Sequence, residues 1–131
     1  MSAAARSLFV FGVYAIAAGL SLAILPHVVL GLMQFPPAGD GWVRVVGVLA
    51  ICVGAYHVVA ARDELLPYIR ASIPVRIAFA LGTVGLVAAG TMPLPLVLFG
   101  ALDVLGAGWT AIALRNQFAS HDVESRPMPH R

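Results

Sequence analysis

The chain has no lysine, a single cysteine and few charges of either sign. Its 131 residues are 11% charged and 60% hydrophobic, whereas soluble domains carry roughly 25% charged residues. A soluble fold this small leaves too much of its chain exposed to hide so many apolar side chains, while a bilayer solvates them directly. All eight basic residues are arginines, for a net charge of +2. They are scattered at segment ends and not gathered into the basic stripe that holds a phosphate backbone, so no nucleic-acid partner is expected. Cys52 sits alone in an apolar run. It has no disulfide mate, CxxC partner or Cys/His spacing for zinc, and is expected to be a small core residue.

What the chain does have is four apolar segments, at about 7–25, 42–61, 73–90 and 94–114. About 20 residues at roughly 1.5 Å each cross a hydrocarbon core of about 30 Å. Inside that core every backbone group must be paired within its own segment, which helices achieve and isolated strands do not. The expected fold class is therefore all-α, an integral membrane four-helix bundle over residues 1–115, with 116–131 as a polar, disordered tail. Pro26 ends the first span, Asp40 is placed to N-cap the second, and Ser72 with Pro74 to open the third. Met92-Pro93-Leu94-Pro95 is short enough to force the last two helices into an antiparallel hairpin. Between His27 and Gly41, Val28, Val29, Leu30, Leu32, Met33 and Phe35 are too apolar for a solvated loop and too few to span; they predict an interfacial stretch ending at Pro36-Pro37.

Arginines near the span ends set the expected orientation. Arg6, Arg62, Arg70, Arg76, Arg115, Arg126 and Arg131 fall on one side and only Arg44 on the other, which by the positive-inside rule makes both termini cytoplasmic in a bacterial-type inner (plasma) membrane. Trp42 near one boundary, with Tyr68 and Trp109 towards the other, fits an aromatic belt. A cleavable signal peptide, with Ala15-Ile16-Ala17 as its processing site, is the rival reading of the N-terminus. The apolar run continues past that site to Leu25, which suits a retained span better.

Lipid tails are as apolar as leucine, so helices associate through close backbone approach and polar contacts. Small-residue stripes occur in every span: Gly12, Ala15 and Gly19; Gly47, Ala50 and Gly54; Ala78, Gly82 and Gly85; Gly100, Gly106, Ala107 and Thr110. Four mutually packed helices would use them, and a further stripe would serve a homodimer or a larger membrane complex. Sliding the second span onto the fourth superposes Gly47 on Gly100, Tyr56 on Trp109 and Arg62 on Arg115, a faint sign of two helical hairpins related by a pseudo-twofold axis.

Asp103 is the most informative residue. It lies about nine residues into the fourth span, roughly 13 Å deep, where an ionised group needs a partner in the interior. Depth along the helices selects Arg44, about 5 Å below the same surface on a helix running the same way, while Arg76 is expected to snorkel to the cytoplasmic interface. Tyr14 and Thr83 fall near the depth of Asp103, so all four helices contribute to one polar centre: either an ion pair that fixes helix register, or the wall of a cavity for a small or lipid-like ligand. His57 is a secondary candidate. As a haem ligand it lacks a mate, since His27 lies at the opposite face; a hydrogen bond to the third helix, or to interfacial water near Arg76, is expected instead. His121, Asp122, Glu124 and His130 in the tail have no rigid frame to hold a metal. No metal or cofactor is expected.

A chain of four spans, with Trp42-x-Arg44-x-x-Gly47 opening the second, Ala61-Arg62 closing it and Asp103-x-x-Gly106 in the fourth, resembles small bacterial four-span membrane proteins, loosely the DoxX-like group. The resemblance covers roughly residues 8–115 and implies the fold; it brings no activity with it. A structural or accessory membrane subunit is the leading expectation, ahead of a carrier or binder acting through an Arg44/Asp103 cavity. An intramembrane enzyme comes last, because no catalytic set is visible.

Overall fold

The computed structural model describes residues 1–36 and 39–124. Those residues form helices α1 (Ala3–Ile24), α2 (Pro26–Leu32), α3 (Asp40–Arg62), α4 (Leu66–Ala88) and α5 (Val97–Glu124), with one 3₁₀ turn at Leu94–Leu96 before α5. There is no strand among them. Four helices are long and apolar enough to cross a membrane, and only about a quarter of each such segment is buried inside the protein. The outward faces are correspondingly apolar: Trp42, Leu105 and Leu81 are 80%, 70% and 67% exposed. Water would penalise such faces and hydrocarbon does not.

The helix ends follow from local chemistry. At Ala88 the chain closes in a Schellman turn: the Thr91 N–H donates to the Leu86 carbonyl (3.1 Å) and the Gly90 N–H to Val87 (2.9 Å). Gly90 sits at φ +70°, where it carries no Cβ penalty. The same turn ends α3, but there the left-handed residue is Glu64, at φ 50°. Glu64 is tied down from outside: its Oε1 accepts from the Ser2 N–H (2.8 Å) and pairs with the Met1 ammonium at 3.1 Å. Ser2 also N-caps α1 through its hydroxyl, which accepts from the Ala5 N–H. The N-terminal ammonium and the Ser2 N–H hold the Glu64 carboxyl below its ordinary range. A lowered folded value means that the clamp is complete above the unfolded carboxylate's titration and loosens as pH falls through the folded one. An NMR titration of Glu64 should therefore show its carboxyl ionising at lower pH than a free glutamate, and blocking the terminal amine should move it back.

The third span differs from its expected start. The helix begins at Leu66, with Pro67 in its first turn, and runs straight through Ser72 and Pro74. Ser72 does not open a helix; its hydroxyl donates to the Ile69 carbonyl (2.8 Å) within α4. At the second span Gly39 is the cap and Asp40 the first helical residue, its side chain outside the described part of the structure. The interfacial stretch forms the short helix α2, and Val28 and Leu32 on it are exposed. α5 continues through 116–124, residues expected to be a disordered tail. A long helix already nucleated in the bilayer extends at little cost, and Arg70 stacks on Phe118 at 4.8 Å. The side chains of His121, Asp122 and Glu124, and all of His130, considered as metal ligands, lie outside the described part of the structure.

α1 is the centre of the arrangement. It packs closely on α3 along one side and on α5 along another, α4 packs on α5, and among the described residues the backbones of α3 and α5 do not approach each other closely. Glycines set the α1–α3 contact: a Cβ at Gly19 would stand 2.5 Å from the Gly47 carbonyl oxygen, and one at Gly54 would stand 2.6 Å from that of Gly12. The compact apolar core lies near the N-terminal end of the bundle, built from Ala4, Ala5, Leu8, Ala60, Ile69 and Leu114 with their neighbours. Cys52 is not part of it; its side chain is exposed on the lipid-facing side of α3.

Candidate functional site: the polar centre

The carboxylate of Asp103 pairs with Arg76, not Arg44. Arg76 Nε stands 3.5 Å from Asp103 Oδ1, with the two side chains only 3% and 12% exposed. The early start of α4 explains this. Arg76 lies ten residues into its helix, roughly 15 Å from the end, too deep to reach the nearer interface. α4 is also the helix that packs on α5. Gly106 provides the space: it lies three residues beyond Asp103 on the same face of α5, and any Cβ there would overlap the guanidinium of Arg76. Phe11 of α1 closes the other side, its ring centre 3.5 Å from the Arg76 guanidinium carbon in a cation–π stack.

Arg44 was expected in this centre and is not there. It lies on α3, which is separated from α5 by α1, and its side chain is exposed. Its Nη1 donates instead to the carbonyl of Ala23, among the last four of α1 and so without a partner in its own helix. Arg44→Gln should thus cost no more than about 1 kcal/mol, the ordinary worth of a cap contact, when unfolding is measured in detergent micelles.

The other expected residues gather around the pair unevenly. Tyr14 is half-buried, tilted against Phe11 at 5.7 Å and within electrostatic range of Asp103. Thr83 is buried but gives its hydroxyl to the Ala80 carbonyl (2.7 Å) and packs against Gly100, one turn from Asp103 on α5. His57 is buried and does meet α4: its ring lies edge-on to Tyr68 at 5.5 Å, with Nδ1 3.3 Å from the Tyr68 hydroxyl. Nδ1 also lies 2.8 Å from the Val53 carbonyl oxygen, which only accepts, so Nδ1 carries a proton and donates it there. His57 Nε2, and all three guanidine nitrogens of Arg76, are buried without a hydrogen-bond partner among the described residues. Phe11 links the two groups, since its ring also lies 5.5 Å from His57.

Phe11 was not picked out from the sequence and Tyr68 was read only as part of an aromatic belt; the Ser7–Thr110 hydroxyl pair (2.9 Å) joining α1 to α5 was not foreseen either. Aromatic residues are common on lipid-facing helices, and nothing in their spacing separates these two from the rest. Ser7 and Thr110 did carry a signal, as hydroxyls in apolar helices tend to face one another. Apolar surface recesses include one near the N-terminus and one of about 370 Å³ between α4 and α5; the second is lined by Ala80, Gly100 and Val104, close neighbours of Arg76 and Asp103, but neither is lined by the pair itself.

Fold and site together define a multi-pass, all-α membrane protein in which, among the described residues, one buried ion pair joins neighbouring helices. No family model, curated protein or solved structure significantly matches the chain.

Proposed function

We propose that the chain is a structural or accessory subunit of a bacterial-type inner membrane, with both termini on the cytoplasmic side. The Arg76–Asp103 pair carries this reading. The two charges neutralise each other beneath Phe11 and Gly106, and neither side chain lines the surface recesses described above, as suits a pair that sets helix register. α4 adds support. A Cβ at Gly82 or Gly85 would meet nothing within 4 Å, whereas small residues in membrane helices are typically where a neighbouring helix packs. In mild detergent the chain is expected to co-purify in fixed ratio with a second copy or another membrane protein. Gly82→Leu with Gly85→Leu should release that partner and leave the chain folded; a monomer carrying only lipid in every detergent would refute the assignment. The orientation is supported by Arg6, Arg62, Arg70 and Arg115 sharing one end of the bundle. A cysteine introduced at Glu64 should react with an impermeant maleimide only after the cytoplasmic face is opened.

A second reading is favoured by the unpartnered nitrogens: a binder of a small or lipid-like ligand at Arg76, Asp103 and His57, in place of the expected Arg44/Asp103 site. Native mass spectrometry should then find a bound mass that Arg76→Gln removes.

A further inference from the structure

The recess near the N-terminus has a different chemistry from the polar centre. It lies between the first turns of α1 and the Trp109 region of α5, holds about 490 Å³, and is lined by Met1, Ala3, Arg6, Phe9, Val10 and Trp109. One end is basic. Arg6 is in the lining, and the guanidinium carbon of Arg62 stands 5.8 Å from the centre of the Phe9 ring. Among the described residues neither arginine has a carboxylate within ion-pair range: of Asp63 and Glu64, which follow Arg62, the second is held by the Met1 ammonium and the Ser2 N–H and the first makes no ion pair. The same clamp pins Met1 where it forms one wall of the recess. The other end is hydrocarbon: Val10 and Trp109 are 52% and 50% exposed on the lipid-facing surface.

An uncompensated positive rim leading into an apolar trough matches one class of molecule. A phosphate at the rim neutralises the arginines while an acyl chain covers Val10 and Trp109. Net negative charge is what separates this ligand from the surrounding lipid, since a zwitterionic headgroup brings its own cation back to the rim. A trough of this volume is within the roughly 300–1,000 Å³ typical of small-molecule sites. We propose that the recess binds an anionic phospholipid from the leaflet that holds the N-terminus, its phosphate at Arg6 with Arg62 alongside and one acyl chain against Trp109.

The protein's two tryptophans allow a direct test. Trp42 is 80% exposed at the far end of the bundle, so Trp42→Phe leaves Trp109 as the sole tryptophan, excited selectively at the red edge, without disturbing packing. The full chain is reconstituted in phosphatidylcholine with a minor fraction of either brominated phosphatidylglycerol or brominated phosphatidylcholine. At equal fraction the anionic lipid is expected to quench Trp109 about twofold or more beyond the zwitterionic one, an advantage that high salt reduces. Arg6→Gln should bring the two lipids to parity, while Arg44→Gln at the other end keeps the difference. Equal quenching by both lipids, or a preference that survives Arg6→Gln combined with Arg62→Gln, overturns the proposal. So does protection of Trp109 that grows with protein density whichever lipid is present, which would mean that a second copy covers the recess.

Discussion

Replacing Arg76 with glutamine is expected to cost about 3–5 kcal/mol of folding stability, the usual penalty for leaving a buried charge without its partner. Asp103 would remain on the inner face of α5, and it would either keep its charge in a medium that solvates it poorly or take up a proton. The stack on Phe11 would be lost as well. Asp103→Asn alone should also destabilise, because it leaves the guanidinium unpaired among nitrogens that already lack acceptors. The double change Arg76→Gln with Asp103→Asn should recover much of the loss, since two neutral amides need no counter-charge. Reversible unfolding in mixed micelles would provide the four corners of this cycle. If Arg76→Gln proved no worse than Arg44→Gln, the pair would not be what holds α4 to α5.

The second large effect belongs to the α1–α3 contact. Gly19→Ala places a Cβ 2.5 Å from the Gly47 carbonyl oxygen and 2.8 Å from the Ile51 nitrogen. Both are backbone atoms, so no side chain can turn aside, and α1 and α3 must separate along their length. A loss of about 1–3 kcal/mol is expected, as for other overpacked sites, and Gly54→Ala should behave alike because its Cβ meets the Gly12 carbonyl oxygen at 2.6 Å. Gly82→Ala and Gly85→Ala are the internal controls. Their Cβ atoms meet nothing within 4 Å, and alanine favours helix over glycine by about 1 kcal/mol. They should be neutral or mildly stabilising in the isolated chain. If all four glycines responded equally, close approach of α1 and α3 would not be the cause.

The contrast among these glycines shows where reading the chain reaches its limit. Every small-residue stripe was visible, but a stripe states only that a backbone can approach, not which helix comes. Gly12, Gly19, Gly47 and Gly54 meet across α1 and α3; Gly100 and Gly106 receive Thr83 and Arg76; Gly82 and Gly85 receive nothing from the chain. Asp103 was identifiable alone, because a carboxylate that deep in an apolar helix must face inward. Its partner was not. Taking Ser72 and Pro74 as a helix start placed Arg76 near an interface, whereas the helix begins at Leu66 and carries Arg76 to mid-depth. Proline is tolerated inside membrane helices, where neighbouring groups make good the hydrogen bond it lacks, so it punctuates them less reliably than soluble ones.

Composition and segment length by themselves determined that this is an all-α chain with four spans, because hydrocarbon admits only segments that pair their own backbone over its full thickness. They also determined that Asp103 has a counter-charge. Only the tertiary structure decided which arginine supplies it. Depth along a helix is written in the sequence, but the order of helices around α1 is not, and that order puts α4 beside Asp103 and keeps α3, with Arg44, on the far side.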